Sequence, residues 1–191
     1  MLAAGYLLKR TAPPSGWLHS GIRHVKNVAS VADCVNDNVV DVQAAWQHNS
    51  FGLANTHDTL KALADEQGLD AEGAVLFYYT AYEYELASDG WTFDASAWRA
   101  RTPVPSSSVP DAVERPSEDK TTLLGFDVVV FEDYLAHSPL SCNSVASELP
   151  VNEHCLFDDF DGAVRAIDAG AFGGGCEPGV YTVFSVSRVD R

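Results

Sequence analysis

The sequence predicts an α+β fold: a mostly antiparallel sheet of about five strands, with three helices packed mainly on one face. Two observations lead there. Strand-like and helix-like segments are segregated along the chain rather than strictly alternating. The apolar runs are short and bounded by Gly, Pro, Asn and Asp, as strands are. A parallel βαβ unit made by residues 123–189 is the main alternative. The chain has 191 residues, enough for one domain with its own core, so residues 1–191 are expected to form a single domain.

The elements follow in order. Gly5 to Arg10 reads as an opening strand, ended by Pro13-Pro14. Ile22 to Val31 alternates in part and suggests an irregular second strand. Val35, Val39, Val42 and Trp46 recur at helical spacing and predict a first helix. A second helix starts after Thr56, its N-cap, with Asp58 in the first turn. Leu60, Leu63 and Ala64 form its buried stripe, and Gly68 ends it. Ala74 to Leu86 is the strongest strand signal, apolar on both faces at first and alternating from Tyr82. Asp89-Gly90 signals a turn, and Trp91 to Phe93 a hairpin partner.

Residues 101–120 carry Pro103, Pro105, Pro110 and Pro116, which exclude a helix and a central strand. A surface loop is expected there. Leu123 to Phe131 is another two-faced apolar strand, interrupted by Asp127. Residues 137–155 look irregular. Asp158 or Asp159 caps a third helix with Ala163, Val164 and Ile167 inward, closed by Gly170. Val180 to Val189 alternates cleanly as a last strand. No repeat at a fixed period is visible.

Charge narrows the function. There are 12 basic and 27 acidic residues, a net −15. Phosphate contacts need Lys and Arg, so a nucleic-acid partner is not expected, nor is docking on an anionic membrane. The asymmetry is internal. Residues 1–30 hold Lys9, Arg10, Arg23 and Lys26 and no acid, which leaves −19 on the remainder. A basic segment packed against acidic neighbours within one fold accounts for this blandly. A secretory signal places its charges before the apolar run, whereas Tyr6-Leu7-Leu8 precedes Lys9-Arg10, so a cytoplasmic protein is expected. The Arg excess over Lys and the abundant Ala suggest a bacterial source.

Four cysteines, Cys34, Cys142, Cys155 and Cys176, lack CxxC spacing and are expected to be reduced and buried. With His137 and His154 they match no closed zinc template, so no metal or other cofactor is expected. Asp127 or Asp158, His137 or His154, and Ser141 or Cys142 make a triad only on paper. No nucleophile-elbow motif accompanies them. Gly173-Gly174-Gly175 follows a helix instead of opening one, which disfavours a phosphate loop.

The segments Gly125-Phe126-Asp127-Val128-Val129, Ser138 to Asn143 and Val151 to Phe157 resemble uncharacterised small bacterial proteins with no assigned activity. In size and acidity the chain is also similar, generically, to immunity proteins of bacterial toxin systems. That resemblance implies a non-enzymatic inhibitor that occludes a basic protein, plausible partner a toxin. Glu83, Glu85, Trp91, Glu153, Asp158 and Asp159 are the expected binding residues, carboxylates for basic side chains and an aromatic anchor. Two alternatives stand beside it. One is a small enzyme or ligand-binding protein using the 137–155 loop, with Cys142 and His154. The other is a nucleic-acid mimic that blocks a nucleic-acid-binding protein.

Overall fold

The computed structural model describes residues 2–11, 16, 22–32, 38–42, 48–49, 51–84, 113–132, 135–173, 176 and 181–190. Its centre is one five-stranded antiparallel sheet in the order β1-β2-β5-β3-β4. The strands are β1 (Leu2–Lys9), β2 (Val75–Tyr84), β3 (Thr121–Glu132), β4 (Leu135–His137) and β5 (Tyr181–Val189). Among the described residues there are two α-helices, α1 (His57–Gln67) and α2 (Phe160–Asp168). The α+β class and the antiparallel sheet are as expected. The parallel alternative is overturned, because β3 and β5 are antiparallel neighbours.

The two helices form where their caps say. Thr56 accepts a bond from the Thr59 amide at 3.1 Å, and Gly68 closes α1 in the left-handed region at φ 64°. Leu60, Leu63 and Ala64 are buried. Each buried leucine contributes roughly 1.5–3 kcal/mol. Asp159 caps α2 by accepting from the Gly162 amide at 2.6 Å, with Ala163, Ala166 and Ile167 inward. Val164 is half-buried instead of facing fully inward.

The first of the three expected helices, from Val35 to Trp46, is not formed by its described part. Asn38 bridges to Lys9 of β1, and residues 39–42 follow in bends and a turn. Val39, Val40 and Val42 are all buried, so their tertiary contacts override the helical spacing. Ile22 to Val31 is likewise no strand: it runs irregularly and hydrogen-bonds to residues 153 and 154. The clean alternation expected in β5 is also absent. It is the middle strand, and residues 181–186 are buried on both faces.

Strands β1 and β3 are built alike. Gly5 in β1 and Gly125 in β3 each sit at a bulge, at φ 134° and 147°. A Cβ at Gly5 would lie 2.6 Å from the Ala54 carbonyl oxygen, and one at Gly125 2.5 Å from that of Phe157. The approach is close because Tyr6 exchanges two backbone bonds with Ala54, and Phe126 does so with Phe157. Asn49 donates to the Ala4 carbonyl and accepts from the Phe51 and Leu53 amides. Asn152 donates to the Leu124 carbonyl and accepts from the His154 and Leu156 amides. Each turn leads into a helix, and each helix is followed in the chain by a strand that pairs with the bulged one: β2 with β1, β5 with β3. Gly5 lies opposite Tyr79, Gly125 opposite Val186, and Tyr79 opposite Val186. A pseudo-two-fold axis therefore passes through the Tyr79–Val186 pair and exchanges the halves.

Candidate functional site

Three of the six residues expected to bind a partner lie along one short segment. The chain turns at Asn152 and enters α2 through Glu153, Asp158 and Asp159, all exposed. Along this turn lies the basic N-terminal segment. The Lys26 and Asn27 amides donate to the Glu153 carbonyl at 2.8 and 3.2 Å, and the Ala29 amide to that of His154 at 3.2 Å. Lys26 forms an ion pair with Glu153, and its ammonium holds that carboxyl below the usual range. Asp159 spends one oxygen on the helix cap and lies 3.7 Å from Arg165. The carboxylates of Glu153 and Asp159 are thus met within the chain, and Asp158 is the exposed acid beside them.

Glu83 lies in β2 opposite Thr182. Glu85 and Trp91 lie outside the described residues, as do Trp98 and the stretch 101–112 of the expected loop. Residues 113–117 run without regular structure into a short 3-10 turn, Glu118–Lys120.

The 137–155 segment holds a buried polar centre rather than an open one. Asp127 is fully buried in β3. Its carboxylate accepts from the Ser30 and Ser138 hydroxyls, each at 2.6 Å, and from the Val31 amide at 3.1 Å. Burial nevertheless pushes its carboxyl above the ordinary value, against the pull of these donors and of the Lys9 charge. Lys9, also buried, donates to the Ser30 carbonyl at 2.5 Å. These bonds tie β1, the irregular 28–31 segment, β3 and the Ser138 turn together. A buried charge with this many partners is costly to expose singly, which suits a structural centre.

The thiols of the segment do not form a nucleophilic pair with it. Cys142 is disulfide-bonded, contrary to the expected reduced state. Cys155 and Cys176 are buried thiols outside any disulfide. The Cys155 thiol is pushed up to about 12 by burial and the Asp127 charge, and it donates to the Leu140 carbonyl at 3.4 Å. His154 bonds Asn27 at 2.7 Å through Nδ1, and desolvation lowers its pKa. Among the described residues no three His, Cys, Asp or Glu side chains converge as a metal-binding group.

A further site carries no sequence signature. A cavity of about 440 Å³ lies beside the start of α1. Tyr6 and Leu76 are its buried floor, and His57, Pro116 and Val189 its walls. Tyr6 donates through its hydroxyl to the Glu114 carbonyl at 3.0 Å, and burial raises its pKa strongly. His57 is the first helical residue after the Thr56 cap, a position that periodicity marks as helix start and not as site. No known protein family matches the chain, and no curated protein or solved structure is detectably similar to it.

Proposed function

We propose that the chain is a non-enzymatic, acidic protein-binding module that occludes a basic partner, in the manner of an immunity or inhibitor protein. The observation that carries this reading is the exposed acidic turn of Glu153, Asp158 and Asp159 at the entry to α2, on a chain of net charge −15. Asp158 offers a carboxylate outside the internal ion pairs, and the whole-chain field steers a cationic surface towards it. Glu83, Glu85 and Trp91 belong to the same proposal as a second contact region. The chemistry of the thiols supports a non-enzymatic reading, since a disulfide-bonded Cys142 and an un-ionised Cys155 supply no thiolate. No helix among the described residues is long and apolar enough to cross a membrane. The disulfide at Cys142 fits an oxidising compartment better than the cytoplasm expected from the N-terminus.

The test is capture of basic proteins on the immobilised full chain at low salt, followed by a wash at about 1 M salt, where the screening length is ~3 Å. A specific basic protein should be retained at low salt and released by the wash. Asp158→Lys should weaken its retention. A partner bound equally well by Asp158→Lys and insensitive to salt would sink the acidic-contact reading.

A further inference from the structure

The pseudo-two-fold axis pairs positions whose side chains have diverged. In the second half three aromatic rings occupy the wedge between helix and sheet. The Phe160 ring lies 4.9 Å from that of Tyr82 and 6.2 Å from that of Phe126, centroid to centroid. The equivalences that relate the turns carry Phe160 onto His57 and Phe126 onto Tyr6. The axis through Tyr79 and Val186 carries Tyr82 onto Val189, because Leu76 faces Val189 as Val183 faces Tyr82. His57, Tyr6 and Val189, together with Leu76, all line the 440 Å³ cavity. A wedge filled by three aromatic rings in one half is open in the other.

Protein interiors leave few voids larger than a water molecule, and a small-molecule site typically spans roughly 300–1,000 Å³. We propose that this cavity is a binding site for a small organic cation, an amine on an aromatic or aliphatic body. Tyr6, Leu76, Pro116 and Val189 receive the apolar body. At the rim stand the carboxylates of Asp58, Glu114 and Asp190 against one ammonium, Lys120. Arg188 lies 3.1 Å from Asp190, and Asp58 and Glu114 outnumber Lys120 among the remaining charged lining residues. The N-terminal end of α1 at the same rim favours an anion in general. Here Thr56 already serves the Thr59 amide, and Asp58 sits in the first turn as the compensating negative charge. The chain's net −15 repels anions further. The site is separate from the acidic turn before α2 and does not depend on the partner reading.

The experiment is a titration of the full chain with 2-phenylethylamine, followed through backbone amide shifts, with phenylacetate as the anion of similar size. Saturable shifts are expected at His57, Asp58, Leu76, Glu114 and Val189, and phenylacetate should bind at least ten-fold more weakly. His57→Phe with Val189→Tyr rebuilds the aromatic wedge and should cut amine binding ten-fold or more. Glu114→Gln leaves the cavity open and should weaken the amine at least three-fold, which serves even if the double variant does not fold. Absence of saturable shifts at these amides overturns the proposal. So does equal binding of amine and acid, or amine binding unchanged in both variants.

Discussion

Gly52 and Cys155 share one backbone conformation, at φ 71° and 61°, at the same step of two equivalent turns. Glycine enters the left-handed region freely, whereas a side chain there costs roughly 1–2 kcal/mol. Cys155→Gly should relieve that strain while losing a small buried thiol, for a net change within about 1 kcal/mol. Cys155→Val places a β-branched residue at positive φ and should cost at least about 2 kcal/mol. Urea denaturation decides this: a valine variant as stable as the glycine variant would disprove strain at the position.

The two asparagines predict a matched pair of losses. Asn49→Ala removes the donor to Ala4 and the acceptor for Phe51 and Leu53, and it also leaves Asn55 without the 2.8 Å bond from Asn49. Unmet buried groups cost about 1–3 kcal/mol each. Asn49→Ala should therefore destabilise by about 4 kcal/mol or more. Asn152→Ala should cost less, because Asn152 is only half-buried. Gly5→Ala and Gly125→Ala should each be worse than either, since the new Cβ meets a carbonyl oxygen inside contact distance at positive φ. Equal midpoints for wild type and Asn49→Ala would refute the turn's role.

Asp127 predicts the sign of a pH dependence. Its folded pKa is raised from 3.8 by burial. The folded chain thus holds a proton that the unfolded chain has released, and this contribution favours folding fully only below about 3.8. It is lost as pH rises from there through the raised folded value. Asp127→Asn, which keeps the shape and cannot ionise, should flatten that part of the stability profile. Asp127→Ala should instead cost about 3–5 kcal/mol, because Lys9 is left buried beside an emptied centre. The check is the unfolding midpoint measured from pH 3.5 upward. A slope retained in the asparagine variant would point to another group.

The thiols predict a labelling pattern. In the native chain Cys155 and Cys176 should resist iodoacetamide, the first because its pKa lies near 12 and both because they are buried. Cys142 should be labelled only after reduction. Mass measurement with and without reductant and denaturant reads all three. Native alkylation of Cys155, or of Cys142 before reduction, would revive a thiol enzyme.

Much of the scaffold was readable from local chemistry. Thr56, Asp58 and Gly68 bracket α1, and Asp159 marks the start of α2, because caps act within one turn and need no partner elsewhere. What failed depends on distant residues. Val39 and Val42 carry helical spacing, yet the bridge from Asn38 to Lys9 draws that segment along β1. The pseudo-symmetry has no periodic signature in the sequence for a different reason. Gly5 and Gly125 are 120 residues apart while Asn49 and Asn152 are 103 apart, so no single period relates the halves. Across residues 49–64 and 152–167, only Asn49, Leu53 and Asp58 recur as the same residue, at 152, 156 and 161. The usable signal was a lone glycine inside each of two apolar strands, which marks a bulge or a close backbone approach. Of the site, the acidic turn was visible as composition. The cavity was not, because a gap between His57, Tyr6 and Val189 follows from what the other half places there.

The Tyr79–Val186 pair has a consequence for chains shorter than this one. A strand that meets its symmetry mate across a two-fold axis can meet a second copy of itself by the same ladder. A polypeptide carrying only β1, its turn, α1 and β2 would expose the edge of β2 that β5 now covers. Two such fragments would then seat Tyr79 against Tyr79 and close the sheet as an isologous homodimer. In the intact molecule β5 covers that edge within the same chain.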